Sequence, residues 1–311
     1  MKGTLPERER KGLARRLLGP FHVYGVFWYR FHLWGVRHAP TWLLLSLLPF
    51  FTLFFSCVLL RIRRAVAANY EVVLGPCGFF ERQRRIFLNL WNYAWCLTER
   101  YEAIAVGKKM VVTPEGEENW HQIALGDNGF LIATAHLGPW EAASLNATHH
   151  GKKRKVHVVR EAEIEEEAQR FFEELLAERG FENYTVHFVS NEAQLGPNLL
   201  FALRRGEVVA LQGDRPAHGG KACDVTVFGK TFKVPIGPLA LARSAEVPIV
   251  PVFAYRTGRL KAKLIFEKPI FVARTDNRDQ DLQEAASRLA VHIETAIRRS
   301  PFQWFCFRPG F

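Results

Sequence analysis

The chain has 311 residues, 48% hydrophobic and 23% charged, so a sizeable core can be buried and the disordered class is excluded. Its 42 Lys and Arg against 31 Asp and Glu leave a net charge of +11, and 25 Phe and 8 Trp make it rich in aromatic residues. Collagen, a coiled coil, a disulfide scaffold and an acidic tail protein are excluded, which leaves a nucleic-acid binder or a protein of an anionic membrane surface.

In chain order, Leu17 to Trp34 comes first. It mixes Phe21, Tyr24, Phe27, Trp28, Phe31 and Trp34 with Arg30 and His32, as an interfacial segment does. Thr41 to Leu60 is free of charge, and as a helix of this length it measures about 30 Å, the thickness of a bilayer's hydrocarbon. Arg37 and His38 flank it on one side and Arg61, Arg63 and Arg64 on the other, so the positive-inside rule gives no orientation. Pro49 is tolerated in a membrane helix and would kink this one. The run starts too late for a secretory signal and lacks a small-residue cleavage site. The expectation is an N-terminal membrane-anchoring helical segment over residues 1–64 and one further domain over 65–311.

Beyond it, Glu81 to Ala103 has the helical period, with one basic and one aromatic side. Strands are predicted at Ala105–Val112, Gly129–Ala135, Val156–Val159, Val186–Val189, Val208–Leu211, Val225–Phe228, Ile249–Tyr255 and Lys261–Phe266. Helices are predicted at Asn119–Leu125, from Pro139, at Ala162–Arg179 closed by Gly180, and at Pro197–Arg205, Pro238–Ala245 and Leu282–Arg298. Strands alternating with helices imply an α/β fold, a mixed sheet flanked by helices. The five cysteines are widely spaced and form no CxxC, so structural thiols are expected rather than a metal site or a disulfide framework.

The chemistry concentrates in Ala133-Thr-Ala-His136-Leu-Gly138-Pro-Trp140-Glu141. A buried strand ends at His136, where sites lie in sheets of this class. Five residues along one continuous helix would set His136 and Glu141 about 140° apart. Gly138-Pro139 supplies the turn that lets them meet. A carboxylate on one imidazole nitrogen fixes the tautomer and leaves the other nitrogen to take a proton. A second segment, Gly213-Asp214-Arg215-Pro216, also ends a strand; here a loop cap and a surface charge are the ordinary reading. Gly229-Lys230-Thr231 is not a phosphate loop, because Asp224 stands where its first glycine belongs. There is no GxSxG, HExxH or GxGxxG.

HLGPWE resembles the His-x₄-Asp/Glu motif of the lysophospholipid acyltransferase superfamily, and within it the bacterial lipid A biosynthesis (lauroyl or myristoyl) acyltransferases. That branch has Asn where this chain has Pro139. Arg160, Asp214, Phe228-Gly229, Gly237–Arg243, Val250-Pro251-Val252 and Ser300-Pro301-Phe302-Gln303-Trp304-Phe305 follow in family order. The resemblance implies a glycerolphosphate-acyltransferase-like fold. It implies transfer of a fatty acyl group from an acyl carrier protein or CoA thioester to a hydroxyl of a membrane lipid, without an acyl-enzyme, a metal or another cofactor. His136 would be the base and Glu141 its orienting carboxylate. Arg160, Asp214 and Arg215 would contact or place phosphate or pantetheine, with a structural ion-pair network as their alternative, and Gly138 and Trp140 would shape the turn and wall. The implied place is the cytoplasmic face of the inner membrane. The rival readings are a non-enzymatic membrane-surface or nucleic-acid-binding protein and an acyl thioesterase. Aromatic residues cluster around the charge-free run and arginines bracket it, so the +11 charge suits anionic lipid and an acidic carrier rather than nucleic acid.

Overall fold

A computed structural model of the chain describes residues 26–140, 154–161, 166–177, 184–189, 194–217 and 219–311. Four helices come first: α1 (Val26–His38), α2 (Thr41–Val58), α3 (Leu60–Leu74) and α4 (Phe79–Tyr101). Helix α2 runs through Pro49 and stops one residue short of Leu59, where ψ of 59° breaks the helical path before α3 begins. It is the one helix among the described residues long and apolar enough to cross a membrane. Its buried residues, Leu48, Thr52 and Ser56, recur every fourth position and so form one narrow stripe, along which α2 packs on α4. The rest of α2 faces outward, with Trp42 68% and Phe50 69% exposed; Phe80 at the start of α4 is 86% exposed.

Helix α4 does not give way to a strand at Ala105. Its backbone continues as a π-helical turn over Glu102–Val106, and the first strand, β1, is Val111–Glu115. Tertiary packing overrides the apolar run here. Tyr101 and Ile104 bury against Leu33 and Val36 of α1, and the buried Glu102 carboxylate binds Lys108 Nζ at 2.7 Å and Arg259 at 2.6 Å.

The remaining elements are α5 (Glu117–Leu125), β2 (Phe130–Thr134), β3 (Val156–Glu161), α6 (Glu166–Ala177), β4 (Tyr184–Val189), α7 (Leu195–Arg204), β5 (Val208–Gln212), β6 (Ala222–Val227), β7 (Lys230–Pro235), α8 (Ile236–Ala245), β8 (Ile249–Gly258), β9 (Lys261–Phe266) and α9 (Arg278–Arg299). Seven strands form one mixed sheet in the order β1-β9-β8-β2-β5-β3-β4. Strands β8, β2, β5, β3 and β4 are mutually parallel, and β9 turns back antiparallel on β8. The expected α/β class and mixed sheet are therefore what forms. Strands β6 and β7 make a separate hairpin, and β7 has no counterpart in the expected elements. Its turn is Phe228-Gly229, both with positive φ (50° and 71°), the two-residue geometry that matches strand twist.

Alternation along β2 divides the interior. Leu131, Ala133 and Ala135 pack with α7, α8 and α9 on one face. Phe130 and Ile132 pack with Trp120 and Ala124 of α5 on the other.

Candidate active site

Neighbouring parallel strands β2 and β5 bring His136 and Asp214 side by side at their carboxyl ends, and Gly213 N–H donates to Thr134 O at 2.7 Å across the pair. The Asp214 carboxylate is 1% exposed. Its Oδ1 accepts from His136 Nδ1 at 2.8 Å, and its Oδ2 accepts from the His136 backbone N–H at 3.2 Å and from Trp304 Nε1–H at 2.9 Å. Burial opposes ionisation of this carboxyl, but the attraction of His136 and Arg215 and the donated hydrogen bonds outweigh it, holding Asp214 well below the usual carboxylate range. Asp214 is therefore an anion that only accepts, so the proton of neutral His136 sits on Nδ1 and Nε2 carries a lone pair. Burial lowers the pKa of His136 below that of free imidazole, and Arg215 adds to the effect while Asp214 opposes it. The guanidinium Nη2–H of Arg215 donates to that Nε2 at 2.8 Å.

The loop that holds His136 is fixed by the end of the chain. Phe305 N–H donates to His136 O at 2.7 Å, Gly138 N–H to Gln303 O at 2.9 Å, and Leu137 bridges Trp304 as an extra antiparallel pair. The Gln303 amide in turn accepts from Arg256 N–H at 2.7 Å and donates to Arg256 O at 2.9 Å. Gly138 has φ of +56°, and a Cβ there would stand 2.4 Å from Ala254 O, so only glycine lets the loop lie this close to β8. The tail is itself gripped by α3 and α4. Asn69 Nδ2 donates to Cys306 O and Arg308 O, each at 3.0 Å, Tyr70 Oη donates to Pro301 O at 2.9 Å, and Asn89 Nδ2 donates to Trp304 O at 2.8 Å.

Arg160 lies inside β3, near its carboxyl end rather than beyond the strand, and its guanidinium carbon is 5.8 Å from the Trp140 ring centre. Arg308 donates to Pro216 O at 2.6 Å and pairs with Glu161 at 3.3 Å. Three cations therefore converge on the carboxyl edge of the sheet. Glu141, expected to orient His136, lies outside the described residues, as do residues 162–165 and 178–180 of the expected Ala162–Arg179 helix and its Gly180 stop; the carboxylate on Nδ1 is that of Asp214. Trp304 was not among the expected site residues. Its signal was the Pro-x-Gln-Trp run at the chain's end, whose role becomes visible only when the tail folds back. Among the described residues no three His, Cys, Asp or Glu side chains come together as a metal site.

Beside this loop an apolar cleft, partly open to solvent, runs along the sheet face opposite α9. Trp140, Thr134 and Gln212 line it near the site, and Phe130 and Trp120 at the far end of β2. The two ends are about 13 Å apart, four strand residues at about 3.3 Å each. Trp120 closes that end in contact with the rings of Phe130 at 4.9 Å and Phe266 at 5.1 Å.

Residues 14–311 match the family described as Bacterial lipid A biosynthesis acyltransferase. Among solved structures the chain is similar to the 1-acyl-sn-glycerophosphate (LPA) acyltransferase PlsC from Thermotoga maritima, with 13% identity, a TM-score of 0.37, and coverage of 80% of this chain and 95% of that one. No curated protein matches the sequence. With nearly the whole sequence matched, the chain belongs to the bacterial lipid A biosynthesis acyltransferase family and is an acyltransferase acting on lipids.

Proposed function

We propose that the protein moves a fatty acyl chain from an acyl thioester, carried by acyl carrier protein or CoA, to a hydroxyl of a membrane lipid, a lipid A precursor or a related glycolipid. The observation that carries this reading is the polarised imidazole beside an apolar cleft, with Nδ1–H given to Asp214 and a lone pair on Nε2. His136 Nε2 takes the proton of the acceptor hydroxyl as its oxygen attacks the thioester carbon. The tetrahedral adduct collapses by breaking the C–S bond, and the imidazolium returns the proton to the thiolate. Asp214 stabilises the imidazolium between these steps, and no acyl-enzyme forms. A positioned base of this kind contributes about 10²–10⁴-fold.

The cleft receives the acyl chain, since its lining is almost wholly apolar and it opens beside the base. Arg160, Arg215 and Arg308 supply the positive charge that a phosphorylated lipid headgroup or a phosphopantetheine arm requires. The outward faces of α1 and α2, with Phe79 and Phe80, rest in the cytoplasmic face of the inner membrane; Arg37, Arg61, Arg64, Arg82 and Arg84 are spaced among them, and anionic lipid complements that charge. The role of Glu141 in the His-x₄-Glu motif is set apart from that of Asp214 by the substitutions described in the Discussion.

The test is His136→Ala in the full chain, assayed with an acyl thioester and lipid acceptor in vesicles. Transfer falls at least about 10²-fold while folding and vesicle binding are retained. Unchanged transfer in that variant refutes the assignment.

A further inference from the structure

Arg215 stands where an acceptor hydroxyl has to stand. Its Nη2–H occupies the lone pair of His136 Nε2 at 2.8 Å, which is the pair a general base must offer. With Asp214 on the opposite nitrogen, the ring is hydrogen-bonded at both ends and neither end is open to a substrate. The guanidinium is not locked in this place. Among the described residues no carboxylate lies within ion-pair distance of it, and its Nε is buried without a hydrogen-bond partner. A guanidinium held by a neutral imidazole and the Cys306 thiol, both uncharged, will exchange those contacts for the charge-assisted, two-pronged bonds a phosphoryl group offers. Arg308, anchored to Pro216 O next along the chain, and Arg160 at the end of β3 give such a group further positive charge at the same edge.

We propose that Arg215 caps the catalytic base while the site is empty and is drawn off it by a phosphoryl group of the incoming substrate. This rests on the reading of His136 as the base and adds a reason for the enzyme to transfer rather than hydrolyse. Uncapped, Nε2 would accept a proton from water, the hydroxide oxygen would join the thioester carbon, the C–S bond would break and the thiolate would take the proton back, releasing a free fatty acid. Capped, the base is withheld from water until phosphoryl chemistry arrives. That group belongs either to the acceptor lipid or to the donor's phosphopantetheine arm.

The test measures fatty acid release without acceptor by the full-length enzyme in vesicles. The donor is an acyl thioester of N-acetylcysteamine, which carries no phosphoryl group. Wild-type release is slow and rises about tenfold on adding phenyl phosphate, which has a phosphoryl group and no alcohol; tenfold is the shift expected when one hydrogen bond is exchanged. Arg215→Gln releases fatty acid about tenfold faster with no additive, gains nothing from phenyl phosphate, and returns to the slow rate when His136→Ala is added. Among the described residues the charged groups facing His136 are Asp214, Arg215 and Arg308, so loss of the Arg215 charge also raises the imidazole titration seen by NMR; the gain in His136-dependent release is the readout that a merely structural arginine would not move. Acyl-CoA separates the two sources. Fast release by the wild type with acyl-CoA alone assigns the phosphoryl group to the donor, and slow release until phenyl phosphate is added assigns it to the acceptor. If phenyl phosphate leaves wild-type release unchanged and folded Arg215→Gln is no faster, the cap is refuted; should Arg215→Gln fail to fold, the wild-type response alone decides. If His136→Ala alone keeps full transfer activity, it is the assignment of the base that fails.

Discussion

Replacing Asp214 by Asn removes one charge and almost no volume, and the hydrogen bonds around it determine the outcome. Two donors converge on Oδ2, the Trp304 indole at 2.9 Å and the His136 backbone N–H at 3.2 Å. An amide satisfies both only by turning its oxygen toward them, which aims its NH₂ at His136 Nδ1. That nitrogen must then accept, so the imidazole proton moves to Nε2. There it meets the Arg215 Nη2–H now 2.8 Å away, two donors facing each other, and the lone pair needed for catalysis is gone. The opposite amide orientation keeps the tautomer but leaves two buried donors facing an NH₂, at about 1–3 kcal/mol each. Asp214→Asn should therefore fold and lower kcat by about 10²–10⁴, with a much smaller change in KM. The assay is initial-rate acyl transfer from a thioester to lipid acceptor in vesicles, with ¹⁵N chemical shifts of His136 reporting the tautomer. Retention of more than about a tenth of kcat in Asp214→Asn, together with collapse in Glu141→Gln, would show that the carboxylate governing His136 is Glu141.

Two further outcomes follow from the same geometry. Because burial and Arg215 hold His136 below the free imidazole value of 6.5, and the active form is the neutral one, the acid limb of kcat/KM measured against pH has its midpoint below 6.5; a midpoint above 6.5 contradicts the assignment. Trp120→Ala deepens the cleft at its closed end, so competition between thioesters of different length shifts toward longer chains by about fourfold for each methylene that gains cover, whereas an unchanged length profile places the acyl chain elsewhere.

Local pattern carried most of the fold. Lys261–Phe266 was legible to the residue, and β2, β5 and β8 within a few residues, because buried strands flanked by turns have little else to become. The structure departs from local pattern where distant contacts decide. Ala105-Val106 is strand-like in isolation but continues a helix, because Glu102 finds Lys108 and Arg259 only in the folded chain. Strand β7 has no legible local signal, because its hairpin depends on positive φ at Phe228, unusual for a phenylalanine. At the site, His136 was legible from its position after a buried strand. Its contact with Asp214, 78 residues away, was not, since nothing local couples the two until β2 pairs with β5.

The support of the site ties chemistry to the exposed apolar helices. His136 is held through its carbonyl by Phe305, and Asp214 through Oδ2 by Trp304, so both members of the pair depend on the same few residues of the tail. That tail is held by Asn69 and Tyr70 of α3 and Asn89 of α4, all three buried. Helix α4 is also the surface on which α2 lies, with its polar-lined stripe inward and its aromatic side outward. Buried amides along this path fix position as apolar contacts cannot, because a displacement leaves each of them unsatisfied at about 1–3 kcal/mol. On the proposed function, His136 meets a hydroxyl at headgroup depth, and its height above the lipid has to be held to within a hydrogen-bond length. In this chain the support of the catalytic loop and the support of the outward aromatic face share α4, so the height and orientation of the base follow from how those helices settle.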